Sequence, residues 1–158
     1  RREKVESRNN CPLRKLFDGG NQSTAVNFLL FTFIRKHKIA FAFEKLVVYQ
    51  KAVGFADKIC TVTSAFPNGY FFLRDQLNRA SLSISANIAE GNGRFTKNDR
   101  KHFFGIARGS VQECVPLLEL AARRGFLNSI SHEALKNDLE EIAKMLSGLI
   151  NGLENREI

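Results

Sequence analysis

From residue 43 onward apolar residues recur at three- and four-residue spacings; before it they do not. The clearest stretch is 76–94, QLNRASLSISANIAEGNGR, in which only Arg79, Glu90 and Arg94 are charged. At about 100° per residue it divides into faces. Leu77, Ala80, Ile84 and Ile88, with Leu73 upstream, make an aliphatic stripe. Ser81, Ser85 and Ala89 make a stripe of small residues. Gln76, Arg79, Ser83, Asn87 and Glu90 make a polar one. An ordinary surface helix has one apolar stripe and a broad charged back. The pattern predicts a helix held inside a bundle, able to pack on two sides and to touch a neighbouring subunit.

The other helices follow from the same spacing. Residues 43–65 carry Leu46, Val53, Ala56, Ile59, Cys60 and Thr63 on one side, and Pro67-Asn68-Gly69 makes a turn. The second helix starts near Phe71 and stops after Glu90 at Gly91, Asn92 and Gly93, with Gly91 suited to a left-handed cap. Thr96 begins a third helix, with Asp99 in the Glu position of a capping box. Its core face is Phe103, Ile106, Ala107, Ser110, Val111, Cys114, Leu117, Leu118 and Ala121. Pro116 removes the hydrogen bond to Gln112 and should kink this helix. Arg123 and Arg124 suit its negative end, and Gly125 its terminal cap. Ser131 caps a fourth helix running to about residue 155, with a seam of Leu135, Leu139, Ile142, Ala143, Leu146, Leu149, Ile150 and Leu153. Four long helices with short connections predict an all-α, antiparallel up-down-up-down four-helix bundle over residues 43–158.

Charge separates this part from what precedes it. The formal net charge of +8 divides into +6 for residues 1–42 and only +2 for residues 43–158, where fifteen Lys and Arg face thirteen Asp and Glu. The basic balance is thus mostly a property of the first segment, which reads as a poorly structured, disordered or adventitious extension. A strand or short helix docked on the bundle is the alternative. The chain begins at Arg1 and its one Met is Met145, which suggests a fragment, a processed product or an upstream-extended reading frame. Residues 25–34 form an apolar run closed by Arg35-Lys36-His37-Lys38. A membrane-spanning helix takes about twenty residues, so no membrane association is expected. Cys11, Cys60 and Cys114 are odd in number and widely spaced. Cys60 and Cys114 read as buried, inert thiols, and a reducing cytoplasm fits.

Catalytic and metal chemistry finds little support. A di-iron bundle needs paired Glu-x-x-His motifs, and Asp99-x-x-His102 is single. Ser81, Ser83, Ser85 and Ser110 lack a His nearby in sequence, and Gly91-Asn92-Gly93 ends a helix and does not cradle a phosphate. Gly105 and Gly109 read as close-packing positions. No catalytic residue, metal or cofactor is expected. Asn87 and Glu90 read as a buried hydrogen-bonded pair that fixes helix or subunit register; with Gly91, Ser110 and Glu113 they are assigned to structure and assembly. Arg74, Arg79, Arg94, Lys97, Arg100, Lys101 and Arg108 are the candidate nucleic-acid-binding residues. Four of them, Arg94, Lys97, Arg100 and Lys101, gather where the third helix begins.

Gln76, Leu77, Arg79 and Ala80, then Ser83, Ile84, Ala86, Asn87, Ile88, Ala89, Glu90 and Gly91, then Gly109, Ser110 and Glu113, form a motif. It resembles that of the bacterial four-helix-bundle family of 23S rRNA intervening-sequence proteins. The resemblance runs from Phe43 to about Leu153. This chain has Ser85 where the family often has Pro. Relatives, including the accessory protein of diversity-generating retroelements, form ring-like homopentamers, and that protein presents a basic surface to nucleic acid and to a reverse transcriptase. The resemblance therefore implies a cytoplasmic, non-enzymatic homo-oligomer, a pentamer, that binds RNA or DNA through its basic surface. The alternative is an adaptor docking a protein partner such as a reverse transcriptase.

Overall fold

Four helices with interlocking apolar stripes account for nearly all of residues 41–155, the part of the chain described by the computed structural model. A 3-10 turn, Ala42–Lys45, leads into α1, Val47–Thr63. Then come α2, Phe71–Gly93, α3, Lys97–Arg123, and α4, Ser129–Glu154. Helix α2 packs most extensively on α3, and α1 contacts α2 and α4, while α4 also packs on α3. Among these helices the diagonal pairs, α1 with α3 and α2 with α4, make no close approach. The helices therefore stand at the corners of a square.

Side-chain pairs fix the directions. Lys51 meets Glu141 at 2.8 Å and Lys58 meets Asp138 at 2.6 Å, so α1 and α4 run antiparallel. Lys101–Glu154 and Glu119–His132 do the same for α3 and α4. Ser83–Ser110 and Gln76–Glu113 do so for α2 and α3. One end of the bundle thus carries the α2–α3 connection, the start of α1 and the close of α4. The other carries the α1–α2 and α3–α4 connections.

The core is aliphatic, with Phe55 and Phe104 the large rings fully inside it. Leu73, Leu77, Ala80, Ile84 and Ile88 of α2 are all buried, as the stripe predicts. So are Leu135, Leu139, Ile142 and Leu146 of α4. Thr96 caps α3 as expected, its Oγ1 accepting from the Asp99 amide at 3.1 Å. Helix α3 runs through Pro116 and closes at Gly125 (φ +75°), where Phe126 N–H reaches the Ala121 carbonyl and Gly125 N–H that of Ala122. That paired closure needs a left-handed residue, which Gly supplies. The Pro67-Asn68-Gly69 turn also forms, with Gly69 at φ +100°.

Several expectations need correction. The buried side of α1 is Val48, Ala52, Phe55, Ala56, Ile59 and Thr63, while Val53 and Cys60 are exposed. Ala56, Ile59 and Thr63 are buried as expected, but the centre of the buried side is turned by about 65° on the wheel, which places Phe55 inside and buries more apolar area. In α3 the fully buried ring is Phe104; Phe103 is half-buried and Ile106 exposed. Helix α2 continues through Gly91, whose φ is not left-handed, to Gly93. Helix α4 is capped by Asn128, which accepts from Ser131 N–H at 2.7 Å, so Ser131 lies inside the first turn. Gly105 and Gly109 have open space where a Cβ would stand, so neither is a close-packing glycine. The basic extension up to residue 40, its apolar run 25–34, Cys11 and His37 lie outside the described residues.

Candidate nucleic-acid interface

The connection between α2 and α3 is short and extended. Arg94 ends α2 with ψ 143°, and Thr96 precedes α3 with ψ 147°. The extended backbone at Arg94 and Thr96 leaves Phe95 at the apex, fully exposed at 102%. Arg94 turns back along α2: its guanidinium pairs with Glu90 and stands 4.6 Å from the centre of the Phe103 ring. Lys97 and Asn98 follow in the exposed first turn of α3. Arg100 is half-buried beside a cleft of about 350 Å³ that includes Leu46, Asn92, Phe104 and Gly152, and its Nε has no hydrogen-bond partner. Lys101 reaches across to Glu154 of α4 at 2.7 Å. Four of the seven candidate basic residues therefore share one end of the bundle.

The other three are elsewhere. Arg74 lies near the start of α2, about 30 Å along the axis from Arg94 at 1.5 Å per residue. There it stands 4.8 Å from the Phe71 ring centre and 3.7 Å from Asp75. Arg79 is exposed midway along α2, and Arg108 midway along α3, beside an open groove shared with Gln112 and Lys144. The seven do not make one continuous patch.

The residues assigned to assembly mostly join α2 to α3 within one chain. Asn87 Nδ2 donates to the Ser83 carbonyl at 2.7 Å and to Ser83 Oγ at 3.0 Å. Ser83 Oγ lies 2.8 Å from Ser110 Oγ, and Ser110 Oγ donates to the Ile106 carbonyl at 3.1 Å. A hydroxyl has one proton to give. With Ser110 giving its proton to Ile106, Ser83 must donate to Ser110, and Asn87 to Ser83. The expected Asn87–Glu90 pair does not form, because Glu90 faces outward and takes Arg94. Gln76 donates to Glu113 farther along the same interface. Gly91 is buried against α3: a Cβ there would come within 2.8 Å of the Phe104 ring. It is a close-approach glycine, not a cap.

Two surfaces escaped the sequence. Ser81 and Ser85, whose small side chains suggested an outer contact, are buried and return their hydroxyls to carbonyls of their own helix. They lie on the side where Asn78 bonds Thr63 of α1 at 2.9 Å. The outward side of α2 is instead Leu82, 53% exposed, with Ala86, Ala89 and Gly93. Phe43, Ala86, Ala89 and Gly93, with the Glu90–Arg94 pair at its edge, line an open cleft of about 400 Å³ there. The signal for it was the absence of charge between Arg79 and Glu90. Phe95 was visible only as an aromatic near basic residues; its full exposure depends on the length of the connection.

Among the described residues no group of three or more His, Cys, Asp or Glu could hold a metal ion, and no helix is long and apolar enough to cross a membrane. Burial, with Glu113 beside it, pushes the Cys114 thiol up to about 12.

The model of the family described as 23S rRNA-intervening sequence protein matches residues 44–148. The crystal structure of a protein of unknown function from the S23 ribosomal protein family, from Bacteroides thetaiotaomicron, superposes with a TM-score of 0.62. It is 30% identical and covers 66% of this chain, and 98% of that protein is covered. No curated protein matches the chain.

Proposed function

The chain belongs to the 23S rRNA-intervening sequence protein family, and from that footing we propose that it is a non-enzymatic, cytoplasmic homo-oligomer that binds RNA or DNA through the α2–α3 end of its bundle. The observation that carries the reading is the gathering of Arg94, Lys97, Arg100 and Lys101 on one connection and the first turns of one helix. Arg94 and Lys101 pair with the carboxylates of Glu90 and Glu154 at exposed positions. Such pairs are worth about 0–1 kcal/mol, so a phosphate can replace either carboxylate at little cost. The outer side of α2, without charge between Arg79 and Glu90 and carrying Leu82 and Ala86, supports association between copies, a pentamer by the family resemblance. Association would repeat the basic end around a ring, where several modest charges add to one field.

Titration of RNA and DNA onto the full chain at about 50 mM and about 200 mM salt tests this, because phosphate contacts weaken steeply over that range. Arg94→Glu/Lys97→Glu should weaken binding relative to wild type, with helix content unchanged. Comparing the two proteins at full length cancels the contribution of the basic first segment. Equal binding by both would sink the reading.

A second reading, an adaptor docking a protein such as a reverse transcriptase, draws on the opposite end of the bundle. Phe72 and Ile130 stand 63% and 81% exposed there. Partner binding through that end should survive about 200 mM salt, where nucleic-acid contacts fade, and be lost in Phe72→Asp.

A further inference from the structure

Phe95 is the most exposed large apolar side chain among the described residues. Nothing in the fold requires a phenyl ring there. The backbone on either side is extended, both helix ends are closed by other residues, and the side chain packs on nothing in the bundle. Exposing a side chain of this size forgoes about 1.5–3 kcal/mol relative to burying it, so a polar residue would serve the connection better. The ring is also free of the local cation. Arg94 precedes it in sequence, yet its guanidinium lies over Phe103 instead. Both faces of Phe95 are left open, with Arg94 on one side in sequence, and Thr96, Lys97 and the start of α3 on the other.

An open aromatic face amid basic side chains is the arrangement that holds single-stranded nucleic acid. The cations follow the phosphates, and an unpaired base stacks on the ring. A duplex offers the same phosphates, but its bases are stacked on one another and give the ring no partner. We infer that Phe95 is a base-stacking platform, so that the α2–α3 end takes unpaired strand in preference to duplex. This rests on the nucleic-acid reading above and adds the form of the ligand. Stacking on a ring tolerates any base, so the preference is for strandedness and not for sequence.

The chain has no Trp, which makes the test direct. Phe95→Trp places a sole indole at the apex. Titrating the full-length variant with a single-stranded oligouridylate should quench its fluorescence as a base stacks; a duplex RNA of equal length should bind with little quenching. Phe95→Ala should weaken single-strand binding about ten-fold, within the range measured for one stacked base, and leave duplex binding unchanged. Because Phe95 packs on nothing, neither variant should alter the melting temperature. Single-strand binding without quenching, or an equal loss for single strand and duplex in Phe95→Ala, would overturn the inference while leaving the nucleic-acid reading standing. Failure of the wild-type chain to bind either RNA, or single-stranded or duplex DNA of the same length, would overturn both.

Discussion

Cys60 and Cys114 carry the same thiol, and only helix phase separates them. Cys60 faces solvent, whereas Cys114 is fully buried. With Cys11 replaced by Ser, a thiol reagent should label Cys60 in the native protein and reach Cys114 only on unfolding. The raised pKa of Cys114 gives a pH signature as well. Its folded value of about 12 lies above the ordinary 9.0, so the folded chain keeps a proton that the unfolded chain releases. Stability is therefore full below about pH 9 and falls as pH rises toward 12, by up to about 1.4 kcal/mol per unit. Between pH 9 and 10 the melting temperature should drop in wild type and hold more nearly level in Cys114→Ala. Glycines divide in the same way. Gly91→Ala forces the Phe104 ring to move, and overpacking costs about 1–3 kcal/mol against a helix-propensity gain of about 1. Gly109→Ala meets open space and keeps the gain, about 0.5–1 kcal/mol. Urea midpoints of the two variants should move in opposite directions.

At the scale of the element, α2 is the most informative helix because every side of it has a different neighbour. Its aliphatic stripe meets the core, Ser81 and Ser85 face α1, Ser83 and Gln76 join α3, and its outer side carries Leu82 and Ala86 with no charge between Arg79 and Glu90. The outer side gives a contrast. Leu82→Glu should leave helix content and melting temperature close to wild type but reduce the sedimentation coefficient, as copies separate. Ser85→Glu, one turn along but facing inward, should unfold the chain, since a buried unpaired carboxylate costs several kcal/mol. A Leu82→Glu protein sedimenting like wild type would show that this side does not join copies.

Across the whole molecule, stability and binding should answer differently to salt. The ion pairs among the described residues lie at least partly in solvent, where each adds little and is screened. The core is aliphatic. Raising KCl from about 50 mM to about 500 mM should therefore move the melting temperature by no more than about 2 °C, while RNA affinity falls more than about ten-fold. The same division explains what the sequence disclosed. The helices α2, α3 and α4 and most of their buried faces were legible because apolar spacing is a local property; in α3 the choice of Phe104 over Phe103 and Ile106 was not. The phase of α1 was not, since Leu46, Val53 and Cys60 offered a competing stripe that only Phe55 and the opposing helices decide. The candidate site was half legible. The cluster from Arg94 to Lys101 lies together because it is contiguous, but its partner Glu154 comes from the far end of the chain. Arg74 and Arg79 lie away from it because α2 carries them about 30 Å and about 22 Å along its axis from Arg94, a separation the helix pattern already contained. The roles of Gly91 and Ser110 turn on Phe104 and Ser83 across the α2–α3 interface, which no single-helix pattern contains.

The hydrogen-bond line from Asn87 through Ser83 and Ser110 to Ile106 runs in one direction, and that has a bearing on how the sequence can drift. Removing Ser83 alone strands a proton donor on Asn87 and an acceptor on Ser110; removing Ser110 alone strands the Ser83 hydroxyl. Removing both still leaves one Asn87 proton without Ser83 Oγ, but it strands no hydroxyl, and Asn87 keeps its bond to the helix carbonyl. Each single loss leaves a half-buried group unsatisfied, at about 1–3 kcal/mol, while the joint loss costs less than the two together. Two serines 27 residues apart on neighbouring helices thus form one heritable unit, and substitutions that persist should exchange the pair, not its members.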